Sequence, residues 1–330
     1  MKKNPKKGLF CLVWILCSSI LCLGETPAAK AFALTNSGSR DVSTLLQHKA
    51  IDGLALQEAW AILEPREGVY RWDRLDSVLK AARQNHKMVS LHLMGSPRVP
   101  GWLSAAGAEF YSSTDFRGRP VRDVVPWDPI YLKLYSRFVR DLARHLRQAG
   151  LDSTVFALGA VAPVSECNII GGKDGYLGRV PYDREAYLRA HKSMLDVYCE
   201  AFPQAKIFVS PPVREMICFP DQDTRFYPEL MNYAHSRHPG QCWVFAADLN
   251  AEGSQRTRPY RSYAKQGLGY QTIWSATNDP RHRMKGSFPQ NLSEAVRFGL
   301  RNGAEYFEIY SADVLNPNPS IQSALRSIHQ

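Results

Sequence analysis

The chain has 330 residues, 45% of them hydrophobic and 22% charged, enough to bury one large core or two modest ones. Its 41 Lys and Arg outnumber 31 Asp and Glu, but beyond the first 24 residues these bases are scattered and do not alternate with aromatics, so nucleic-acid binding is not expected. No Cys/His spacing fits a zinc site, and no Gly-rich run leads into a helix through Lys-Ser/Thr, so neither a metal nor any other cofactor is expected.

Residues 1–24 read as a secretory signal, with Lys2, Lys3, Lys6 and Lys7 ahead of an apolar segment from Leu9 to Leu23. Cleavage after Gly24 is preferred to cleavage after Ala31, which would trim the strand-like flank of Phe32. A lipoprotein attached through Cys22 is the lesser alternative, because Leu21 is too large for the residue before a lipidated cysteine. Removing the signal takes four lysines and no acid, which lowers the formal charge from +10 to +6. The expected mature chain, residues 25–330, has no further membrane span, and the protein is expected to be periplasmic or secreted. Of its cysteines, Cys167, Cys199, Cys218 and Cys242, buried thiols and disulfides are equally compatible with the spacing.

No linker or repeat divides the rest, so residues 25–330 read as one domain of alternating strands and helices. A strand from Phe32 to Asn36 leads into a short helix at Val42 to His48. The second strand, Ile51 to Trp60, precedes a helix with Asp73 as its cap and Leu75, Val78, Leu79 and Ala82 on one face. Met88 to Met94 is the third strand, followed by a long loop. Asp128 and Pro129 then open a helix that runs to about Gln148. The apolar run from Thr154 ends in Pro-Val-Ser-Glu166, so it reads as a buried fourth strand delivering a carboxylate to the edge of a sheet. A helix from Asp183 to Phe202, a strand at Lys206 to Ser210 and a helix around Tyr227 to His235 follow. Cys242 to Leu249, Tyr270 to Ser275 and Glu305 to Tyr310 are the last three strands. Ser254 to Gln266 reads as a weak helix, Asn291 and Glu294 as a capping pair, and Asn318 with Pro319 as the start of the final helix. Eight strand–helix pairs in this length predict a single (β/α)8 barrel.

Such a barrel places its chemistry at the carboxyl ends of the strands. The candidates there are Glu58 and Trp60 on strand two, His92 on strand three, and Glu166 and Asn168 on strand four. Asp248 ends strand six, Gln271 and Trp274 belong to strand seven, and Glu308 and Tyr310 to strand eight. Alternation along strand eight turns Tyr306, Glu308 and Tyr310 into the lumen and Phe307 and Ile309 toward the helices. A carboxylate in a barrel lumen needs a partner or a task.

The stretch Gly53-Leu-Ala-Leu through Trp60-Ala-Ile-Leu-Glu-Pro-Arg-Glu-Gly-Val-Tyr-Arg-Trp-Asp-Arg-Leu-Asp76 resembles the second-strand signature of (β/α)8 glycoside hydrolases of the large retaining clan, the β-galactosidase-like and cellulase-like families. His92 with Pro100-Gly-Trp-Leu103, and Trp127-Asp-Pro before a long helix and an apolar strand ending in Ser-Glu, are similar to that group more loosely. The resemblance implies that Glu166 is the acid/base, with Ser165 where those families usually have Asn. It fails on strand seven, where the clan carries its nucleophilic Glu and this chain has Gln271 and no acid before Asp279.

The expectation is therefore an exported glycosidase acting on an oligo- or polysaccharide, with Glu166 as general acid/base and Glu308, one strand on, as nucleophile or base. Trp60, Trp102, Trp274 and Tyr310 are candidate stacking platforms, and Glu58, His92, Asn168, Asp248 and Gln271 candidate polar contacts. Glu64 and Glu67 are expected to organise the loop after strand two. A carbohydrate-binding barrel without hydrolysis is the competing reading, resting on the missing acid. No Gly-x-Ser-x-Gly elbow supports an esterase.

Overall fold

In the computed structural model, residues 28–95, 99–114, 120–159, 176–177, 180–211 and 224–330 are described. Eight parallel strands close into a barrel: β1 Lys30–Thr35, β2 Gly53–Ala59, β3 Met88–Met94, β4 Val155–Gly159, β5 Lys206–Val209, β6 Cys242–Leu249, β7 Leu268–Thr272 and β8 Tyr306–Tyr310. Each strand pairs with its sequence neighbours, and β8 closes onto β1 with Lys30 opposite Tyr306 and Phe32 opposite Glu308. The helices expected from the apolar spacing cover the outside as α1 Val42–Gln47, α2 Asp73–Gln84, α3 Pro129–Gln148, α4 Arg184–Ala201, α5 Phe226–Arg237, α6 Gln290–Arg301 and α7 Pro319–Ser327.

Alternation along the strands separates two buried layers. Phe32, Leu34, Ala55, Ala157, Phe208, Trp243, Phe245 and Tyr306 fill the lumen, while Ala31, Leu54, Leu56, Leu91, Phe307 and Ile309 join the larger layer under the helices. The lumen is floored by aromatic rings: Phe208 stacks on Phe245 at 4.8 Å and meets Tyr306 at 4.6 Å.

Helix starts follow local chemistry. The Asp128 and Asp183 carboxylates accept the backbone N–H groups of Tyr131 and Ala186, and Asn318 accepts that of Ser320. Three expectations differ. Asp73 is the first residue of α2, so it acts on the helix dipole together with Asp76 and does not cap. Asn291 is buried inside the first turn of α6, which Pro289 precedes, so the Asn291/Glu294 capping pair does not form. The segment before β7 is a kinked 3-10 helix, Arg258–Gln266. The loop after β3 contains an antiparallel hairpin, Phe110–Thr114 with Pro120–Val124.

Strand seven is displaced from its expected place. It spans Leu268–Thr272, starting two residues before the expected Tyr270, and it includes Gly269, where a Cβ would come within 3.0 Å of Phe245 and 3.1 Å of Tyr306. Gln271 is therefore near the carboxyl end of β7, and Trp274 lies beyond it.

Cys199 on α4 and Cys242 at the start of β6 are buried free thiols with sulfurs 3.7 Å apart. Among the described residues no helix is long and apolar enough to cross a membrane.

His191 on α4 is buried against Tyr187 and Phe226, with ring centroids 4.2 and 5.2 Å away, and its Nδ1–H donates to the Tyr187 carbonyl. Burial pushes its pKa from 6.5 down to about 4, against the opposing pull of that hydrogen bond. Between these values the unfolded chain takes up a proton that the folded chain refuses. Stability should thus fall as pH drops from 6.5 toward 4, by up to roughly 3 kcal/mol from this residue. Urea unfolding of His191→Phe across this range should show a flatter pH dependence than the wild type; an unchanged slope would contradict the assignment.

Candidate active site

Glu308 is fully buried in the lumen, on the inward face that alternation gives it. Its Oε1 lies 2.6 Å from Nε2 of His92. Since β2 and β1 separate β3 from β8 around the wall, this contact crosses the lumen. The Tyr306 hydroxyl lies 2.7 Å from the same oxygen and 2.8 Å from Ser90 Oγ. Its single proton goes to the carboxyl oxygen, the stronger acceptor. Oε2 of Glu308 has no hydrogen-bond partner among the described residues.

The surroundings explain the geometry. The His92 ring lies over Gly159, where a Cβ would sit 2.2 Å from Nδ1, and Phe245 is 5.9 Å from it on another side. Gln271 on β7 is in register with Glu308 and also buried, and Gln57 on β2 is in register with His92. A carboxyl group and an imidazole thus face each other among aromatic rings and neutral amides.

Higher at the mouth, Trp274 and Tyr310 are half-buried neighbours with ring centroids 6.0 Å apart. The Trp274 N–H donates to the Asn278 carbonyl, and the Arg283 guanidinium lies 4.9 Å from its ring centroid. The loop carrying Trp274 is tied down by Asp313, fully buried just after β8, which accepts from Ser275 Oγ and from the N–H groups of Ala276 and Thr277.

Other expected site residues lie elsewhere. Glu58 has the opposite parity to Gln57 and turns away from the lumen, accepting the Ser37 N–H at 2.6 Å. Burial raises its pKa, partly offset by Ser37 and the Arg74 charge. Trp60 is fully buried in the outer layer, 5.1 Å from Tyr135 and 5.6 Å from Trp102, so it has no free face for a sugar. Its N–H donates to Glu64, whose other oxygen takes Gly68 N–H and Arg137. Glu64 is thereby structural, as its motif suggested, and Glu67 joins it on Arg137. Trp102, half-buried, donates its N–H to the Glu64 carbonyl. The Asp248 carboxylate is occupied by Ser254 Oγ and the N–H groups of Gln255 and Arg256. Glu166 and Asn168 lie outside the described residues.

Sequence reasoning missed Ser90 and Gly159. The alternation Met88, Ser90, His92 on β3 carried a signal for the first, since a small hydroxyl between two lumen positions is unusual in an apolar strand.

No curated protein sequence matches the chain. Residues 39–151 match the family Glyco_hydro_42, Beta-galactosidase. Among solved structures, the catalytic domain of a β-amylase from Paenibacillus polymyxa is similar with a TM-score of 0.62 at 11% identity, covering 92% of this chain and 99% of that one. A GH10 endoxylanase from a sugarcane soil metagenome is similar with a TM-score of 0.56 at 10% identity, covering 92% of this chain and 97% of that one. The structural neighbours share the closed (β/α)8 barrel, and the match over residues 39–151 is to a glycoside hydrolase family.

Proposed function

We propose that the protein is an exported glycosidase that cleaves an oligo- or polysaccharide with Glu166 as general acid/base and Glu308 as nucleophile or base. The observation that carries the reading is the placement of Glu308. It stands in register with Gln271, beside the strand where the clan's nucleophile is missing, with Oε1 held by two donors and Oε2 without a partner among the described residues. A nucleophilic carboxylate needs one oxygen held and the other available. Glu166 protonates the departing glycosidic oxygen, while Glu308 either attacks the anomeric carbon or takes a proton from an attacking water. The two outcomes differ in carboxyl separation, about 5 to 5.5 Å for retention and about 6.5 to 9.5 Å for inversion. Trp274 and Tyr310 supply the apolar face for a sugar ring, and Gln271 a polar contact beneath it.

One observation favours a second reading, a glycan-binding barrel without turnover: Glu308 is fully buried and paired with His92, as a structural ion pair would be. A panel of aryl glycosides and polysaccharides separates the two. Wild-type turnover reduced about 10²- to 10⁴-fold in both Glu166→Gln and Glu308→Gln supports the two-carboxylate enzyme. Full activity in either variant removes that residue from the mechanism, and binding with no turnover in the wild type establishes the second reading.

Export rests on residues 1–24, which lie outside the described residues. Expression of the full chain in a bacterial host should deliver a protein shortened at its N-terminus to the periplasm or medium. Recovery of the uncut chain from the cytosol alone would contradict it.

A further inference from the structure

We propose that His92 is a positioning residue for Glu308, not a sugar contact, and that Gly159 is a glycine to give its ring room. The inference rests on the glycosidase reading above and assigns a part of its machinery.

A carboxyl group turns about its last side-chain bond, so a single hydrogen bond does not fix which oxygen faces a ligand. Glu308 receives two hydrogen bonds on one oxygen from different directions: His92 from across the lumen and Tyr306 from its own strand. Together these define the carboxyl plane and leave Oε2 without a partner among the described residues. A fully buried carboxyl oxygen with no donor is costly, and folded proteins keep few of them. A half-turn would exchange two equivalent oxygens and change nothing, while any smaller turn would lengthen both hydrogen bonds, so the two donors fix where the second oxygen points. The unpaired atom is therefore held for a group that arrives with the substrate.

His92 performs this task because its ring is itself held. It is nearly fully buried, with the β4 backbone at Gly159 on one side and Phe245 on another. A Cβ at position 159 would lie 2.2 Å from Nδ1 and 2.3 Å from Cε1, closer than any real side chain approaches, so a residue larger than glycine must displace the imidazole. The Nε2–H is committed to Glu308, which leaves His92 no free donor on that edge for a sugar hydroxyl. The polar groups beside the pair among the described residues are Tyr306, Ser90, Gln271 and Gln57, none of which carries a charge at neutral pH.

The test separates positioning from substrate contact. Steady-state kinetics would be measured for wild type, His92→Asn, His92→Gln and Gly159→Ala, each first checked for a cooperative thermal transition. His92→Asn cannot reach Oε1 and should lower kcat by about 10²-fold while leaving KM within about threefold. The amide of Gln reaches the Nε2 position and should restore at least about tenfold of that loss. Gly159→Ala, which removes no polar group but displaces the imidazole, should reproduce the His92→Asn pattern. A rise in KM with unchanged kcat in His92→Asn would make His92 a sugar contact, and a Gly159→Ala variant with wild-type kcat would remove the glycine's role. Proton NMR of the wild type supplies an arm that does not depend on turnover. A downfield Nε2–H resonance should vanish in His92→Asn and move upfield in Glu308→Gln. If the wild type cleaves nothing yet shows this behaviour, the glycosidase reading fails and the pairing stands; if the resonance is missing or indifferent to Glu308→Gln, the positioning role fails.

Discussion

A carboxyl group inside a closed parallel barrel is the constraint from which the rest of this molecule follows. The barrel has no edge, each strand sends alternate residues inward, and the inward layer here is mostly aromatic. Parity alone puts Glu308 inside, far from water, so the lumen must supply donors or leave it a debt of several kcal/mol. His92 and Tyr306 answer on one oxygen, and both positions are fixed by the same two-residue period that placed the acid. Gly159 and Gly269 belong to this arrangement too, since each makes space for a ring that a side chain would push aside.

Four buried or partly buried acids show how satisfaction distinguishes scaffolding from chemistry. Glu64 has donors on both oxygens, from Trp60 on one side and from Gly68 and Arg137 on the other. Asp313 gathers Ser275, Ala276 and Thr277, and Asp248 gathers Ser254, Gln255 and Arg256; both fix loops at the mouth. In each the hydrogen-bonding capacity is spent on the protein itself. Glu308 alone among these four keeps an oxygen without a partner among the described residues, and it does so where the lumen meets the β7 position that lacks an acid.

The fold was largely legible because apolar periodicity and caps are local signals. The apolar runs gave seven strands within a few residues and the start of the fourth, whose expected end at Glu166 lies outside the described residues, and Asp128, Asp183 and Asn318 announced their helices. β7 begins two residues before the expected Tyr270 and includes Gly269, whose missing side chain leaves room for the rings of Phe245 and Tyr306. The site was legible by parity and obscure by contact. Glu308 facing inward could be read from strand eight, but the meeting with His92 depends on the stagger of strands three places apart. Trp60 and Glu58 misled because proximity to a strand end does not reveal which side a residue faces: both belong to the outer side of β2 or to the turn beyond it.

The most direct test is a crystal structure of the protein with a bound oligosaccharide. The account predicts a sugar stacked against Trp274 or Tyr310, with its anomeric carbon about 3 to 3.5 Å from Oε2 of Glu308 or joined to it through one water. It also predicts that Oε1 still holds His92. A sugar bound at the mouth with Oε2 sealed beneath Gln271 and out of reach would contradict it and leave Glu308 as part of the scaffold.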